Sequence, residues 1–298
     1  MRQVKGNMQL MPYPGGKYYM KGAIIRMIPE HKVYVEPFAG ALSVLLHKEP
    51  SPGEVVNDID DDIYNLWVQV QKNPERLVEE AERLWYSRKV YLQVLSEWKS
   101  GYKGENDVER AARILFLYNA GGKMDTFFRT VHYKKRGGGR TEFRNGAVNY
   151  RRKIELISVV SERLRNVVIE CEDFRNLMTR LDSEDTFFFC DPPYFESSYQ
   201  HKFKMRDHEE LAEILGEVKG KFLLTYKYDD RLLELYPRSK FNWLEFEISN
   251  HFHKISGRGV ESRRKEVVIT NYDVGAAGAK VEVKGWEDGE EEISLFGA

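Results

Sequence analysis

The sharpest chemical signal in this 298-residue chain is Asp191-Pro192-Pro193-Tyr194, directly after the apolar run Phe187-Phe188-Phe189-Cys190. Neither proline has a backbone N–H, and each fixes its own φ at about −65°. Pro193 also keeps Pro192 out of the helical region. The result is a stiff extended bend at a strand end, able to aim the Asp191 carboxylate and the Pro192 carbonyl at one point. Two acceptors so placed suit an –NH₂ group on a planar base. The exocyclic amine of adenine is a poor nucleophile because its lone pair is delocalised into the ring. Two acceptors on its N–H bonds favour a more tetrahedral nitrogen, with the lone pair free to attack an electrophile. Tyr194 would stack on the face of the base. A plain strand-terminating turn with a capping aspartate is the weaker alternative for these four letters taken alone.

Three further motifs carry polar groups at strand ends or in a glycine turn. Glu36-Pro37-Phe38-Ala39-Gly40 follows the short run Val33-Tyr34-Val35. Its single glycine disfavours a pyrophosphate-wrapping dinucleotide turn, but it is enough for a nucleoside ligand without phosphates. Asp58 stands 18 residues after Gly40, at the end of the next strand, where an acid would meet ribose hydroxyls. An ordinary turn beside a solvated acidic cluster (Asp58, Asp60, Asp61, Asp62) fits the same letters. In Tyr13-Pro14-Gly15-Gly16-Lys17 the glycines permit close backbone approach. Lys17 offers a cation to a ligand carboxylate or to a carboxylate of the chain, or is a surface lysine on a flexible loop. In Cys171-Glu172-Asp173-Phe174, Asp173 is either an acceptor for an adenine amine or a helix N-cap.

These motifs need strands that end at one edge. Val33–Val35, Val55-Val56, Val167–Ile169, Phe187–Cys190, Phe222–Leu224, Leu244–Ile248 and Val267–Ile269 read as strands. The Phe187–Cys190 run has the character of a central strand buried on both faces. Residues 41–47 read as a helix start. Ile63, Leu66, Trp67 and Val70 follow helical spacing, and Asn73-Pro74 reads as a cap with proline at the first helical position. Helical patterning then continues with breaks to Tyr118, and Ile154, Ile157 and Leu164 suit another helix. Asp207-x-x-Glu210 reads as a capping box ahead of the stripe Leu211, Ile214, Leu215, Val218. Residues 121–149 alternate aromatic and basic side chains around Gly137-Gly138-Gly139, as in a hairpin or long loop. Strands alternating with helices predict an open, mostly parallel, doubly wound α/β sheet, with the middle third inserted between its halves.

Composition bounds the partners. Hydrophobic residues are 42 % and charged residues 31 %, as in a folded globular chain. No apolar run approaches the roughly 20 residues that span a bilayer. The start, Met1 to Gly6, meets no apolar stretch, so no signal peptide is expected. Cys171 and Cys190 make neither a disulfide framework nor a zinc site, which predicts a reducing cytoplasm and no metal. The net charge of −1 hides a segregation: residues 121–144 carry seven Lys/Arg against two acids, and residues 272–298 two lysines against seven acids. Local charge governs contact with phosphates, so nucleic acid remains open as a partner.

The order of these motifs resembles that of the DNA adenine-N6 methyltransferases of the DNA adenine methylase family. Tyr-Pro-Gly-Gly-Lys, Glu-Pro-Phe-Ala-Gly and Asn-Asp-Ile-Asp precede a helical and basic insert, and Asp-Pro-Pro-Tyr follows it. Glu266-Val267-Val268-Ile269-Thr270-Asn271 resembles the family's last strand, after a polar loop at 256–265. The resemblance implies a Rossmann-like methyltransferase sheet formed by residues 1–66 and 145–272, a target-recognition insert at 67–144 and an acidic tail at 273–298. It implies S-adenosylmethionine as methyl donor. Tyr13, Lys17, Asp58 and Asp191 match donor-binding positions, Glu36, Phe38 and Gly40 line the same pocket, and Asp173 is a weaker match for the donor's adenine. Asp191, Pro192, Pro193 and Tyr194 match the catalytic loop, which in this family acts on an adenine flipped out of double-stranded DNA. Direct methyl transfer to N6 needs no metal.

The insert departs from the family pattern. Tyr118-Asn119-Ala120-Gly121-Gly122-Lys123 stands where an Asn-Arg-x-Gly-x-Asn-Gly-like run is usual. DNA binding by the hairpin is therefore expected without a target sequence. Arg129, Lys134, Lys135, Arg136, Arg140 and Arg144 are the phosphate-contact candidates, and a solvated basic loop is the plain alternative. The tail would be a disordered solubiliser, but Ile293, Ser294, Leu295 and Phe296 resemble peptides that dock replication sliding clamps. Competing readings are cytosine-N4 methylation, adenine methylation in RNA, a non-catalytic DNA-binding protein of the same fold, and a nucleotide-dependent oxidoreductase.

Overall fold

The structure, a computed structural model, describes residues 7–13, 15–121, 127–135, 141–195, 203–250, 262–275 and 293–295. In chain order its elements are α1 (Lys21–Met27), β1 (Val33–Glu36), β2 (Gly53–Asn57), α2 (Asp61–Lys72), α3 (Pro74–Arg83), α4 (Arg88–Lys99) and α5 (Asp107–Ala120). There follow β3 (Val131–Lys135), β4 (Thr141–Asn145), α6 (Gly146–Glu155), α7 (Ile157–Leu164), β5 (Val168–Glu170) and α8 (Phe174–Leu181). The chain closes with β6 (Thr186–Cys190), α9 (Met205–Glu217), β7 (Lys221–Lys227), α10 (Arg231–Leu235), β8 (Asn242–Asn250), β9 (Ser262–Thr270) and β10 (Ile293–Leu295). It divides into two compact units: Met1–Gly16, Gly40–His47 and Asp60–Cys171 in the first, Lys17–Ala39, Lys48–Ile59 and Glu172–Ala298 in the second.

The second unit holds strands in the order β10-β8-β9-β7-β6-β1-β2. Neighbours from β2 through β1 and β6 to β7 run parallel, and β9, β8 and β10 extend the sheet antiparallel. The expected α/β sheet is therefore present. Every residue of β6 is buried, as its unbroken apolar run requires. Side chains alternate between faces. Val35, Phe188, Leu224 and Ile269 join the core formed with Leu177 and Met178 of α8 and Leu211 and Leu215 of α9. Tyr34 and Phe187 face the other way, with ring centroids 5.9 Å apart.

The first unit is helical. Most of α5 is buried, and Asn106 caps it by accepting from the backbone N–H of Val108 and Glu109, each at 3.1 Å. Ile63, Leu66, Trp67 and Val70 form the buried stripe of α2, as their spacing predicts. The hairpin β3–β4 pairs Val131 with Asn145 and Lys135 with Thr141. Gly137-Gly138-Gly139 lie outside the described residues.

Three local expectations are corrected. Residues 41–47 form turns rather than a helix. Leu42 has a φ of 52°, in the left-handed region. Beyond it the bonding is mixed, with Leu46 N–H on Leu42 O and His47 N–H on Val44 O. The His47 ring takes up Ser43 O at 2.9 Å, so the ladder does not propagate. The helix read through 154–164 is two, α6 and α7, and α6 already begins at Gly146, where Asn145 caps it. In α9, Asp207 is the third helical residue rather than the cap: its carboxylate accepts from the backbone N–H of Lys204 at 2.6 Å. Glu210 turns instead to Arg206 and Arg175. Among the described residues no helix is long and apolar enough to cross a membrane.

Candidate active site

Asp191 is the first residue beyond β6, at the carboxyl end of the parallel strands. Neighbouring β7 pairs Leu224 with Cys190 and continues to Lys227, so Thr225 lies beside Asp191. The Thr225 hydroxyl donates to Asp191 Oδ1 at 2.9 Å. The Lys17 ammonium, 1 % exposed, donates to the same oxygen and forms an ion pair with it. Burial, with a smaller push from the Glu266 carboxylate, raises the Asp191 carboxyl above its ordinary value, and the Lys17 charge and the two hydrogen bonds offset only part of that rise. The sequence left Lys17 as a ligand for a bound carboxylate, a partner for a carboxylate of the chain, or a surface lysine; its burial overturns the surface reading, and the structure brings it to a carboxylate of the chain itself.

Tyr194, three residues on, is held at both ends. Its hydroxyl donates to Glu266 Oε2 at 2.7 Å, and the Lys17 ammonium lies 4.9 Å from its ring centroid. Burial and the nearby carboxylates push the Tyr194 phenol far above its ordinary value, so it stays a proton donor. Glu266 is fully buried, and Tyr19 also donates to it at 3.4 Å. β9 runs antiparallel to β7 and pairs Glu266 with Lys227, which brings a residue from near the chain's end to the Asp191 edge of the sheet.

Behind this loop, His208 is 1 % exposed and packs against Phe195, Phe203 and Tyr226. Its Nδ1 pairs with the Tyr226 hydroxyl at 2.7 Å, and its Nε2 has no partner among the described residues. Burial lowers its pKa to about 4, so the ring is neutral at physiological pH. Cys190, also buried, has its thiol pushed up and stays protonated.

The other strand ends of the second unit are tied together by Asn57. Its Nδ2 donates to Pro37 O and to Glu172 O, both at 3.0 Å, and its Oδ1 accepts from Glu172 N–H at 2.9 Å. One side chain thus fixes the three loops that carry Phe38, Asp58 and Asp173. Glu36 is buried at the end of β1 and accepts from the Tyr34 hydroxyl at 2.6 Å. Phe38 packs on Phe174 and Phe203, with centroids 5.4 and 5.8 Å away. Asp58 is half-buried just past β2. Asp173 caps α8 through Arg175 N–H at 2.9 Å and also holds the Arg175 guanidinium, so the capping use is realised.

In the first unit, Gly40 has a φ of 46°, and a Cβ there would stand 3.0 Å from ring carbons of Tyr13. The Tyr13 ring also packs 5.4 Å from Tyr118. Asn119 donates to Leu10 O at 3.0 Å, so the departing Tyr118-Asn119 pair anchors the N-terminal segment. The acidic cluster is not simply solvated. Asp60 caps α2, and buried Asp62 accepts from Lys103 and Arg110, each at 2.6 Å.

The root of the hairpin sits on an aromatic cluster of Tyr86, Tyr91, Phe116, Phe128 and Tyr150. The Tyr86 hydroxyl donates to Arg129 O at 2.8 Å. A Cβ at Gly121 would stand 1.8 Å from the Tyr91 hydroxyl oxygen, and one at Gly146 2.6 Å from Arg129 O, so any side chain at either position would force its neighbours to shift. Exposed Phe127, Val131 and Phe143 accompany Arg129 and Arg144. Lys134 and Lys135 lie in β3, whereas Arg136 and Arg140 fall outside the described residues, as does Phe296 of the tail. Ile293, Ser294 and Leu295 pair antiparallel with Ile248, Glu247 and Phe246 of β8.

Sequence reading missed Asn57, Thr225, Glu266, Tyr19 and His208. Glu266 left one trace, an acid at the head of the apolar run Val267–Ile269. Asn57 stood at the head of the Asn-Asp-Ile-Asp motif with no role assigned to it, and Thr225, Tyr19 and His208 left no trace, because each acts through a partner distant in the chain.

The family model described as D12 class N6 adenine-specific DNA methyltransferase matches residues 13–250. The DNA adenine methylase of Escherichia coli strain K12 is 27 % identical over 284 residues, covering 91 % of this chain and 98 % of that protein. The DNA adenine methylase of Salmonella typhimurium is 26 % identical over 286 residues, covering 92 % and 98 %. The Type II methyltransferase M1.LlaDCHI of Lactococcus lactis subsp. cremoris is 27 % identical over 288 residues, covering 90 % and 98 %.

Proposed function

Because the chain belongs to the D12 class of N6 adenine-specific DNA methyltransferases and methylates adenine in DNA, we propose that Asp191 through Tyr194 hold an adenine flipped out of the duplex at a specific site, with S-adenosylmethionine as methyl donor. The observation that carries this reading is the placement of Asp191: a carboxylate at the end of a central strand, kept between the Lys17 ammonium and the Thr225 hydroxyl. Lys17 favours the ionised carboxylate despite burial, which keeps Asp191 an acceptor for an amine N–H. Oδ1 carries both internal bonds, so Oδ2 is the oxygen assigned to the amine. The Pro192 carbonyl takes the second N–H, and the Tyr194 ring stacks on the base.

The residues fit the donor. Glu36 and Asp58 stand at the ends of adjacent parallel strands and offer acceptors for hydroxyl or ammonium groups, with Phe38 as an apolar wall. Tyr13, Lys17, Gly40 and Asp173 complete the proposed set. S-adenosylmethionine supplies an electrophilic methyl group on a positively charged sulfur. Carboxylates and aromatic faces suit that charge, whereas a pyrophosphate would call for further glycines in the first turn.

Residues 67–144, wholly inside the first unit, are assigned to target recognition, and residues 1–66 with 145–272 to catalysis. Arg129, Lys134, Lys135, Arg136, Arg140 and Arg144 contact phosphates, which position the duplex without specifying its sequence. Such an enzyme works at the nucleoid, in the cytoplasm. The tail residues Ile293–Phe296 are assigned to a sliding clamp; loss of clamp pull-down on deleting residues 290–298 is expected, and unchanged pull-down refutes that assignment.

The deciding experiment treats unmethylated duplex DNA with purified protein and S-adenosylmethionine, then digests it to nucleosides for mass spectrometry. N6-methyladenine is expected, and it should vanish with Asp191→Asn. N4-methylcytosine, or an Asp191→Asn variant as active as the parent, would overturn the reading. Methylation-sensitive sequencing of the same product gives the target site.

A further inference from the structure

Glu266 is an unusual residue for its place. It is fully buried in β9, next to Val267, Val268 and Ile269, which are equally buried. Removing a carboxylate from water is costly unless hydrogen bonds replace the lost solvation. Two phenols supply them, Tyr194 on Oε2 at 2.7 Å and Tyr19 on Oε1 at 3.4 Å. Tyr194 comes from the loop after β6, and Tyr19 from the turn that also presents Lys17. The carboxylate therefore ties together the two segments that build the Lys17–Asp191 pair.

We propose that Glu266 is a positioning residue for methyl transfer: it holds the Tyr194 hydroxyl so that the ring stays fixed beside the Lys17–Asp191 pair as the platform for the target base. This rests on the reading of Tyr194 as that platform. A tyrosine ring on a short loop can turn about two side-chain bonds: a hydroxyl anchored to a buried carboxylate stops the swing about Cα–Cβ, and packing on Tyr226, with ring centroids 5.8 Å apart, restrains the turn about Cβ–Cγ. Donation to a carboxylate also shifts electron density from oxygen into the ring, which strengthens its attraction for cations and for the electron-poor face of a base. The Lys17 ammonium near the same ring is consistent with such a surface.

The test compares Tyr194→Phe, Tyr194→Ala, Glu266→Leu, Glu266→Gln and the Tyr194→Phe/Glu266→Leu double variant, each with kcat, KM for donor and for DNA, and thermal unfolding. Tyr194→Phe keeps the ring and its packing and removes only the tether. It should lower kcat about tenfold, the scale of one charge-assisted hydrogen bond, with KM for the donor unchanged. Glu266→Leu should match that loss, Glu266→Gln, which keeps an acceptor, should recover part of it, and the double variant should be no slower than the slower single one. Should Glu266→Leu fail to fold, Tyr194→Phe and Glu266→Gln carry the comparison. Wild-type kcat in Tyr194→Phe, with turnover lost in Tyr194→Ala, overturns the tether and leaves the platform standing. Wild-type kcat in Tyr194→Ala overturns the platform as well. Losses that multiply in the double variant overturn the route through Tyr194.

Discussion

Around Asp191 the second unit holds its side chains with buried polar pairs: Lys17 and Thr225 on Asp191, Tyr194 and Tyr19 on Glu266. At the hairpin root the first unit uses rings packed on glycines, with Tyr91 against Gly121 and Tyr86 against Gly146. The two devices suit different tasks. Buried polar partners favour one form of an acceptor and aim it where solvent would blur it, but each partner depends on the other. Steric packing fixes a backbone position at the root of the hairpin without using charge. The first region is therefore expected to be sensitive to charge and pH, the second to added volume and salt.

The largest effect should come from Asp191→Asn. Turnover should fall at least about 100-fold, as when a preorganised polar group is removed from a reaction centre. Stability should fall by about 3 kcal/mol, because a buried ion pair loses one of its two charges. Methyl incorporation and urea unfolding measure the two; a loss in neither would break the comparison at its first member. Removal of the ammonium in Lys17→Ala acts on the same pair from the other side. Burial already raises the Asp191 carboxyl, and without Lys17 it rises further, so the acid limb of the pH–rate profile should move to higher pH. An unmoved limb would mean that another group controls the carboxylate.

His208 provides the pH test of folding. Its pKa is about 4 in the folded protein against 6.5 for an ordinary histidine. Between those values the unfolded chain binds a proton that the folded one refuses, so stability drops as pH falls through this window. The loss from this group between pH 7 and 4.5 is roughly 2–3 kcal/mol. His208→Phe should remove that part of the acid sensitivity, as read from unfolding midpoints at the two pH values.

Gly146→Ala probes the other device. The new methyl would press on Arg129 O and the Tyr86 hydroxyl, at a cost of about 1–3 kcal/mol. DNA affinity should weaken for all sequences while donor binding by calorimetry stays as it was. Smallest of all, Arg129→Ala and Arg144→Ala should each reduce DNA affinity about threefold and flatten the log–log salt slope by about 0.9. A loss confined to one DNA sequence would instead assign these arginines to base reading.

The parts legible in the sequence are those whose physics is local. Asp191-Pro192-Pro193-Tyr194 announces a rigid strand-end bend because proline acts on its own φ and on its immediate neighbour. The Phe187–Cys190 run announces a strand buried on both faces, and β6 is one. The hairpin was readable from its alternation and its glycines. The 41–47 segment misled for an equally local reason: its apolar letters suit a helix, but Leu42 turns left-handed and the His47 ring takes a carbonyl the helix would need. The capping letters of α9 were recognised a turn out of place, since Asp207 serves the Lys204 N–H from inside the helix.

By itself the sequence determined the strand ends, the stiff bend after β6, the segregation of basic and acidic stretches and, through motif order, the family. The tertiary structure alone decided which groups those strand ends meet. Lys17 and Asp191 are 174 residues apart, and Tyr194 and Glu266 72 apart. A hydrogen bond is specific only over about 3 Å, and no local pattern encodes which distant residue will arrive within that range. The register of the sheet supplies that information by setting β7 beside β6 and returning β9 antiparallel to the same edge.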